Sequence, residues 1–363
     1  MAEARPGNRA PRRSPAALTL AALLALPPLC AWWEFKRPGP LAAGSTVLIR
    51  RGTTADRAAD ILHAEGVIRS PALFKLRARL WGDKILMGEY LFPRGASMET
   101  VAGMLEGGQI HVTRIVIPPS IHAWSLQKRL EPFVPEEAFW GFWASGKLRE
   151  MAGFPDAPTL EGLVAPATYN VNRAMEPEEV MQELVRAFRS RVFPRLEGGP
   201  LPPYETLILA SLAEKETAVR SELPHITGVF HNRLNSRMRL QCDPTSLYAR
   251  WLEGDLRFTP PASEDILRGH PYNTYSVMGL PPGPIAIPSA AAIEAALSPM
   301  ETEDYYFVAN GKGGHSFSRT LREHNRNVRA YRAEVAGQRG AGSGTARAKK
   351  KAANKPRTAQ RKR

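Results

Sequence analysis

The chain has 363 residues and a formal net charge of +14, but the positive excess lies at its two ends. Residues 336–363 hold ten lysines and arginines and no acidic residue, residues 1–37 contribute a further +4, and the body at 38–335 is neutral. This distribution argues against a nucleic-acid-binding body, which would carry its basic excess on the folded surface. The two cysteines, Cys30 and Cys242, provide neither a disulfide framework nor a metal-binding CxxC pair.

An uncharged apolar run at 16–33 follows four arginines, and its length of about 18 residues is just enough to span a bilayer. Arginines before such a run indicate a cytoplasmic N-terminal segment at 1–15. A cleaved signal peptide is the alternative, but its apolar region is usually shorter, about 7–15 residues. The pair Trp32-Trp33, followed by basic residues, is typical of an interfacial anchor. The sequence therefore predicts a single-pass membrane anchor with the body outside the cytoplasm.

After a linker at 34–44, the segment 45–115 predicts a small α+β module. Ser70 and Ser97 are expected to cap two of its helices, because their side chains can accept free N–H groups of a first helical turn. In chain order, the predicted elements are a strand at 45–49, a helix at 54–65, a helix at 70–80, a strand at 88–92, a helix at 97–105 and a strand at 111–117.

The remaining body at 116–334 predicts a mostly helical domain, which gives an α+β protein overall. Its chemically informative motifs lie within 205–328. The tail at 335–363 is mostly glycine, alanine, lysine and arginine. Since such a composition cannot bury a core, we expect the tail to be disordered.

A carboxylate on the apolar side of a predicted helix is the first candidate for chemistry. At helical spacings of three, four and seven residues, Glu216 lies over Ala213, Leu212 and Leu209, whereas Glu214 lies over Ser211, Ala210 and Leu207. Glu216 therefore extends from the more apolar stripe, and desolvation should raise its pKa toward the value that suits a general acid near neutral pH. On periodicity alone, an ordinary solvated helix face is the simpler interpretation.

Seven motifs in the second half of the chain favour Glu216 as a general acid over an ordinary solvated helix face. They are Leu209–Thr217 (LASLAEKET), Val229–Leu234 (VFHNRL), Arg239–Thr245 (RLQCDPT), Tyr272–Tyr275 (YNTY), Gly279–Ile285 (GLPPGPI), Asp304–Val308 (DYYFV) and Gly313–Phe317 (GGHSF). Together they resemble the endolytic murein transglycosylase family (MltG, or YceG-like). The resemblance is dense over 205–328 and weaker but collinear over 45–200, where the first module resembles a LysM-like domain.

The resemblance implies an inner-membrane lytic transglycosylase, a carbon–oxygen lyase with a lysozyme-like catalytic domain, that acts on nascent peptidoglycan strands and accompanies penicillin-binding proteins. Glu216, followed by Thr217, matches the catalytic glutamate of the family. In the implied mechanism it protonates the oxygen between MurNAc and GlcNAc, then accepts the proton of the MurNAc C6 hydroxyl. The product is 1,6-anhydroMurNAc, and neither metal nor cofactor is required.

The same resemblance implies substrate contacts at other motif residues, whose side chains offer stacking faces and hydrogen bonds. These candidates are Glu214, Gln241, Asp243, Tyr272, Asn273, Thr274, Tyr275, Gly279, Leu280, Pro281 and His315. Structural alternatives stay open: YNTY as a turn, GLPPGP as a stiff loop, and Asp243 as the start of a turn. His315 lacks the HExxH spacing of a metal site and is expected to be a structural or groove residue. Arg233 is expected to be a structural ion-pair partner.

Three positions depart from the pattern of the family. Ala167 replaces an acidic residue of a Pro-Asp-Thr-Tyr stretch, the segment 117–120 lacks a Glu-Gly pair, and Cys242 replaces a serine or threonine. Two further functions are considered. A hydrolytic muramidase would use Glu216 as acid and Asp243 as base, and a non-catalytic scaffold would only bind the wall.

Overall fold

The computed structural model describes residues 26, 29–82, 84–257 and 259–336. Most of the predicted anchor at 16–33 and of the predicted tail at 335–363, and all of 1–15, lie outside these described residues. Within the described ranges, no helix is long and apolar enough to cross a membrane.

The chain folds into two compact units. The first contains the described residues up to Arg114 together with Asn170–Glu176, and the second contains Ile115–Tyr169 and the described residues from Pro177 onward. Asn170–Glu176, predicted within the domain at 116–334, belongs to the first unit.

The first unit is built from short helices and an antiparallel strand pair. Its elements are α1 (residues 29–36), β1 (Ser45–Ile49), α2 (Ala55–Ala64), α3 (Pro71–Trp81), β2 (Gly88–Phe92) and α4 (Met98–Glu106). Ser70 and Ser97 cap α3 and α4 by accepting hydrogen bonds from Leu73 N and Thr100 N. Each such cap contributes about 1 kcal/mol to stability, and serine is among the residues preferred at this position. The two helix starts could therefore be predicted from the sequence.

The core of the first unit lies between the strand pair and its helices. In β1, Val47 and Ile49 alternate inward, and Val47 lies opposite Tyr90 of β2. Leu62 of α2 and the side chains of α3 and α4 complete this buried cluster. Apolar side chains recur every two residues in β1 and about every 3.6 residues in the helices, and they therefore all face the same buried cluster.

The rest of the described chain is mostly helical, as predicted for 116–334. Its elements are β3 (Thr113–Ile117), α5 (Ala123–Leu130), α6 (Glu136–Trp143), α7 (Gly146–Ala152), β4 (Ala167–Val171), α8 (Pro177–Arg191), α9 (Pro203–Glu216), α10 (Leu223–Asn235), α11 (Asp243–Leu252), α12 (Ser263–Leu267), α13 (Ala290–Leu297), β5 (Tyr306–Ala309), β6 (His315–Ser318) and α14 (residues 321–336). Single 3₁₀ turns occur at Phe193–Arg195 and Arg220–Glu222. β3 begins at Thr113 rather than at the predicted residue 111, and β5 and β6 pair as an antiparallel hairpin.

Helix α9 occupies the centre of the second unit. Every residue from Thr206 to Ala213 is buried, and α10, α11 and α13 pack around it. A helix that is apolar on all sides belongs in a core rather than on a surface. Its polar last turn, residues 214–216, is where the helix leaves the core and where the candidate site begins.

Candidate active site

Three consecutive polar side chains at the end of α9 take different directions. Glu214 accepts hydrogen bonds from Ser289 N at 3.0 Å and Ser289 Oγ at 2.5 Å, at the residue that caps α13. Lys215 donates to the Ser120 carbonyl oxygen at 3.1 Å. Glu216, the last residue of α9, faces a cavity. Of the two glutamates, only Glu216 lines this cavity.

This cavity, called here the α9 cavity, has a volume of about 430 Å³. It contains five of the predicted site residues, and these come from three separate motifs and the β5–β6 hairpin region. Its lining consists of Glu216, Arg233, Gln241, Asp243, Tyr275, Tyr306, Phe307, Val308, Ala309, His315, Leu321, His324 and Tyr331. The mixture of one half-buried acid, aromatic faces and convergent polar groups suits a polar ring such as a sugar.

The surroundings of Glu216 favour its protonated form. Burial raises the pKa of Glu216 to about 7, and the nearby charge of Asp243 acts in the same direction. A hydrogen bond from the Cys242 thiol and the charge of Arg233 oppose this rise without cancelling it. The end of a helix, where the dipole is negative, also disfavours a carboxylate. Glu216 is therefore a carboxylic acid with a transferable proton near neutral pH.

Asp243 is the second carboxylate among the described residues that line the α9 cavity. It is the first residue of α11 and accepts a hydrogen bond of 2.6 Å from the Tyr275 hydroxyl. Gln241, two residues earlier, has a φ of 49°, and this backbone conformation is rare for residues other than glycine. Its backbone N–H donates to the Thr274 carbonyl oxygen at 3.2 Å. The RLQCDPT and YNTY motifs are therefore joined beside the acid.

Arg233 is structural, as expected, but its hydrogen-bond partners are carbonyl oxygens rather than a carboxylate. Its guanidinium donates to Tyr305 O at 2.6 Å and to Leu240 O at 2.8 Å. The side chain is only 6% exposed, so these carbonyls replace much of the water that the charge loses. Its positive charge also acts on Glu216 across the α9 cavity.

Glu222 is a residue of this region that the sequence did not single out. Its Oε2 accepts hydrogen bonds from His315 Nδ1 at 2.7 Å and from Thr217 Oγ1 at 3.2 Å, and its Oε1 accepts from His315 N at 2.8 Å. Burial alone would raise the pKa of Glu222, but these hydrogen bonds outweigh it and lower the pKa. Because Glu222 lies in a one-turn 3₁₀ helix, no periodicity distinguishes it from a solvated acid.

The structure places Asn273 and Thr274, two of the predicted sugar contacts, inside the fold. Both side chains are fully buried. Asn273 Nδ2 donates to three carbonyl oxygens, and Thr274 Oγ1 accepts from Cys242 N at 2.9 Å. Tyr272, 8% exposed, packs on Tyr248 in a separate core cluster. The YNTY motif is therefore largely the structural turn considered as the alternative, with only Tyr275 in the α9 cavity.

The loop motif GLPPGP is also outside the lining of the α9 cavity. Gly279 has a φ of 79°, which a glycine adopts without strain. Gly283 lies so close to two tyrosines that an added Cβ would come within 2.9 Å of either hydroxyl. Glycan contacts of Gly279, Leu280, Pro281 and Glu214 stay predictions, and Ser289 donates two hydrogen bonds to Oε2 of Glu214.

Cys242 is fully buried in contact with Glu216, so the residue at this position bears directly on the acid. Burial, followed by the nearby Glu216, raises the pKa of the Cys242 thiol well above its ordinary value. Among the residues that the structure describes, no group of three or more histidine, cysteine, aspartate or glutamate side chains is placed to hold a metal ion.

The fold and the motifs of the α9 cavity define a family. Residues 47–330 match the model of the YceG-like family, and the chain belongs to this family. It is 29% identical over 314 residues to the endolytic murein transglycosylase of Bacillus subtilis (strain 168), covering 78% of this chain and 83% of that protein.

Two further comparisons agree with this assignment. The endolytic murein transglycosylase of Streptococcus pneumoniae serotype 2 (strain D39) is 34% identical over 174 residues, which is 47% of this chain and 32% of the relative. The crystal structure of a YceG-like protein from Listeria monocytogenes superposes with a TM-score of 0.53 at 28% identity, covering 78% of this chain and 99% of that one. The α+β fold of the family is thereby shown for this chain.

Proposed function

We propose that this protein is a lytic transglycosylase that cleaves peptidoglycan glycan strands internally, with Glu216 as its catalytic acid. The observation that carries the proposal is the carboxyl group of Glu216, with a pKa of about 7, in a cavity lined by aromatic and polar side chains. Two relatives named endolytic murein transglycosylases, one of them aligned over most of both chains, supply the substrate class.

The reaction needs one carboxyl group that acts twice. Glu216 donates its proton to the glycosidic oxygen as the bond from MurNAc C1 to that oxygen breaks, and positive charge develops on the ring. The resulting carboxylate then accepts the proton of the C6 hydroxyl as O6 bonds to C1. GlcNAc leaves with a new hydroxyl, MurNAc becomes the 1,6-anhydro sugar, and Glu216 regains its proton. No water is consumed.

A hydrolytic muramidase is the second candidate, because Asp243 lines the same cavity as Glu216. In that reaction one carboxyl group protonates the leaving oxygen while a second activates water. The hydrogen bond from Tyr275 already uses Oδ1 of Asp243, which weakens the case for this residue as a free base. The two reactions differ in their products, since hydrolysis leaves reducing ends.

The cellular setting belongs to the same proposal. The apolar run at 16–33 is proposed as the anchor in the inner membrane, with the catalytic domain on its outer side and peptidoglycan synthases as partners. The exposed Trp32 and Trp33 of α1 suit the membrane–water interface. The unit containing β1, α2, α3 and β2 is proposed to be LysM-like, and the second unit lysozyme-like.

The test is mass spectrometry of the products formed from uncrosslinked glycan strands. The wild type is compared with Glu216→Gln and with Glu205→Gln, a matched control at an exposed position in the first turn of the same helix. Anhydro ends from the wild type and from the control, but not from Glu216→Gln, support the proposal. Reducing ends would establish the muramidase. Equal cleavage by Glu216→Gln would overturn the assignment of the acid.

A further inference from the structure

Glu222 connects two parts of the site that are distant in the sequence. Through its three accepted hydrogen bonds it joins Thr217, directly after the acid, to both the backbone and the ring of His315, 93 residues away from Glu222. Two of these bonds are 2.8 Å or shorter, as expected for bonds that involve a charged acceptor. The first strand residue of β6 is thereby tied to the end of α9.

The carboxylate also determines which nitrogen of His315 carries the proton. An ionised carboxylate can only accept, so Nδ1 must donate to Glu222. In the neutral ring Nε2 is then unprotonated and is a hydrogen-bond acceptor. His315 lines the α9 cavity with Glu216, and its ring packs edge-on against Phe307 with 5.5 Å between centroids. The orientation of the His315 ring and its tautomer are thus both restrained.

The β5–β6 hairpin is shaped to admit this carboxylate. A Cβ at Gly314 would lie 2.5 Å from Glu222 Oε1, so the residue before His315 has no room for a side chain unless Glu222 moves. The backbone N–H of Gly314 is held by Asn310 Oδ1 at 3.2 Å, which fixes the turn. The close approach of Glu222 therefore depends on a glycine at this position.

We propose that Glu222 is a positioning residue that holds His315 as the Nδ1–H tautomer, so that Nε2 accepts a hydrogen bond from a hydroxyl of the sugar bound beside Glu216. This inference rests on the proposed function. Ring closure to the anhydro sugar requires the C6 hydroxyl, whose proton goes to Glu216, to point at C1, and an acceptor that fixes a different hydroxyl of the glycan holds the ring in that orientation. Positioning of this kind reduces the entropy that the reaction must lose at its transition state.

The tautomer is measured directly on the full-length protein in detergent with ¹⁵N-labelled histidine. Long-range ¹H–¹⁵N correlations above pH 8 distinguish Nδ1–H from Nε2–H, and a His315→Gln variant assigns the signal among the eight histidines. The wild type is expected to show Nδ1–H at His315. A wild type with Nε2–H would overturn the inference.

The decisive variant is Glu222→Gln, which preserves shape and removes charge. The backbone N–H of His315 can only donate, so the amide oxygen of the glutamine is expected to pair with it. The amide NH₂ then faces Nδ1, which must accept, and the proton moves to Nε2. The matched control is Glu303→Gln, because Glu303 lies on the surface and pairs with Arg319. An unchanged tautomer in Glu222→Gln would contradict the proposal.

Strand-cleavage kinetics test the role of the pair. Glu222→Gln is expected to lower kcat about tenfold with little change in KM, because the acceptor orients the sugar ring for the closure step. The double variant Glu222→Gln/His315→Gln is expected to be no slower than His315→Gln alone, because each change removes the same Glu222–His315 pair. Additive losses would overturn the pairing. A wild type that cleaves no strand would overturn the proposed function instead, and the tautomer data would distinguish the two failures.

Discussion

The hydroxyl of Tyr275 donates a hydrogen bond of 2.6 Å to Oδ1 of Asp243, and both side chains line the cavity that contains Glu216. This bond joins the YNTY motif to the start of α11. It also occupies Oδ1 of Asp243, so this carboxylate is less available as a free base. The geometry therefore favours a mechanism in which Glu216 alone transfers protons, and the bond can be tested by removing one hydroxyl.

Tyr275→Phe keeps the ring and removes the donor to Asp243. A hydrogen bond to a charged group contributes about 1.5–3 kcal/mol, so we expect kcat/KM to fall roughly tenfold or more. The products should remain anhydro-ended, which mass spectrometry determines. Tyr305→Phe is the control, because its hydroxyl contacts only the surface residue Ser236 among the described residues. A shift to reducing ends in Tyr275→Phe would show that a freed Asp243 activates water.

The pH dependence of cleavage follows from the state of Glu216. The acid must start protonated, and its pKa is raised to about 7. We therefore expect kcat/KM to be high below pH 7 and to decline tenfold per pH unit above it. The measurement is the pH profile of strand cleavage on wild type and Glu205→Gln, which should coincide. A profile that is flat from about pH 6 to 9 would be incompatible with this acid.

The Cys242 thiol donates to the charged form of Glu216 and lowers its pKa slightly. A hydroxyl is the stronger donor, so Cys242→Ser is expected to move the alkaline limb of the pH profile to lower pH by about half a unit to one unit. Cys242→Ala removes the donor and should move this limb to higher pH. The control is Cys30→Ser, which changes a thiol exposed in the first unit. Identical limbs in all four proteins would exclude coupling between residues 242 and 216.

A second buried acid determines part of the pH dependence of stability. Burial raises the pKa of Glu161 to about 7, although Ala123 N at 3.0 Å and the Tyr248 hydroxyl at 3.1 Å donate to it. In the unfolded chain its pKa is near 4.3. Between these values the unfolded state binds fewer protons than the native state, so the free energy of unfolding falls as pH rises and levels off above pH 7.

Glu161→Gln should remove this loss of unfolding free energy at higher pH. The amide imitates the protonated acid, so the variant should exceed the wild type near pH 8 by up to about 3 kcal/mol and match it near pH 4. Denaturant unfolding at the two pH values measures the difference, with the exposed Glu205→Gln as control. A variant that is less stable than the wild type near pH 8 would show that the native state favours the ionised form of Glu161, with a pKa below that of the unfolded chain.

Prediction from the sequence succeeded where the physics is local. Ser70 and Ser97 were identified as caps because each bonds an N–H three residues later, and the structure confirms both. The sequence also predicted a difference between Glu214 and Glu216, and the structure gives the two acids different surroundings for another reason. Helix α9 is buried on every side up to Ala213, so an apolar stripe does not separate the two acids. Their separation comes from Ser289 of a distant segment.

The sequence by itself determined the α+β class and the elements of the first unit from β1 onward. Motifs that resemble a family predicted the acid at 216. Only the tertiary structure decided which polar residues share the α9 cavity. Asn273 and Thr274 are buried by hydrogen bonds within the fold, whereas Glu222 reaches His315 over 93 residues of separation. Capping and periodicity act over a few residues, but the meeting of such side chains depends on how the whole chain packs.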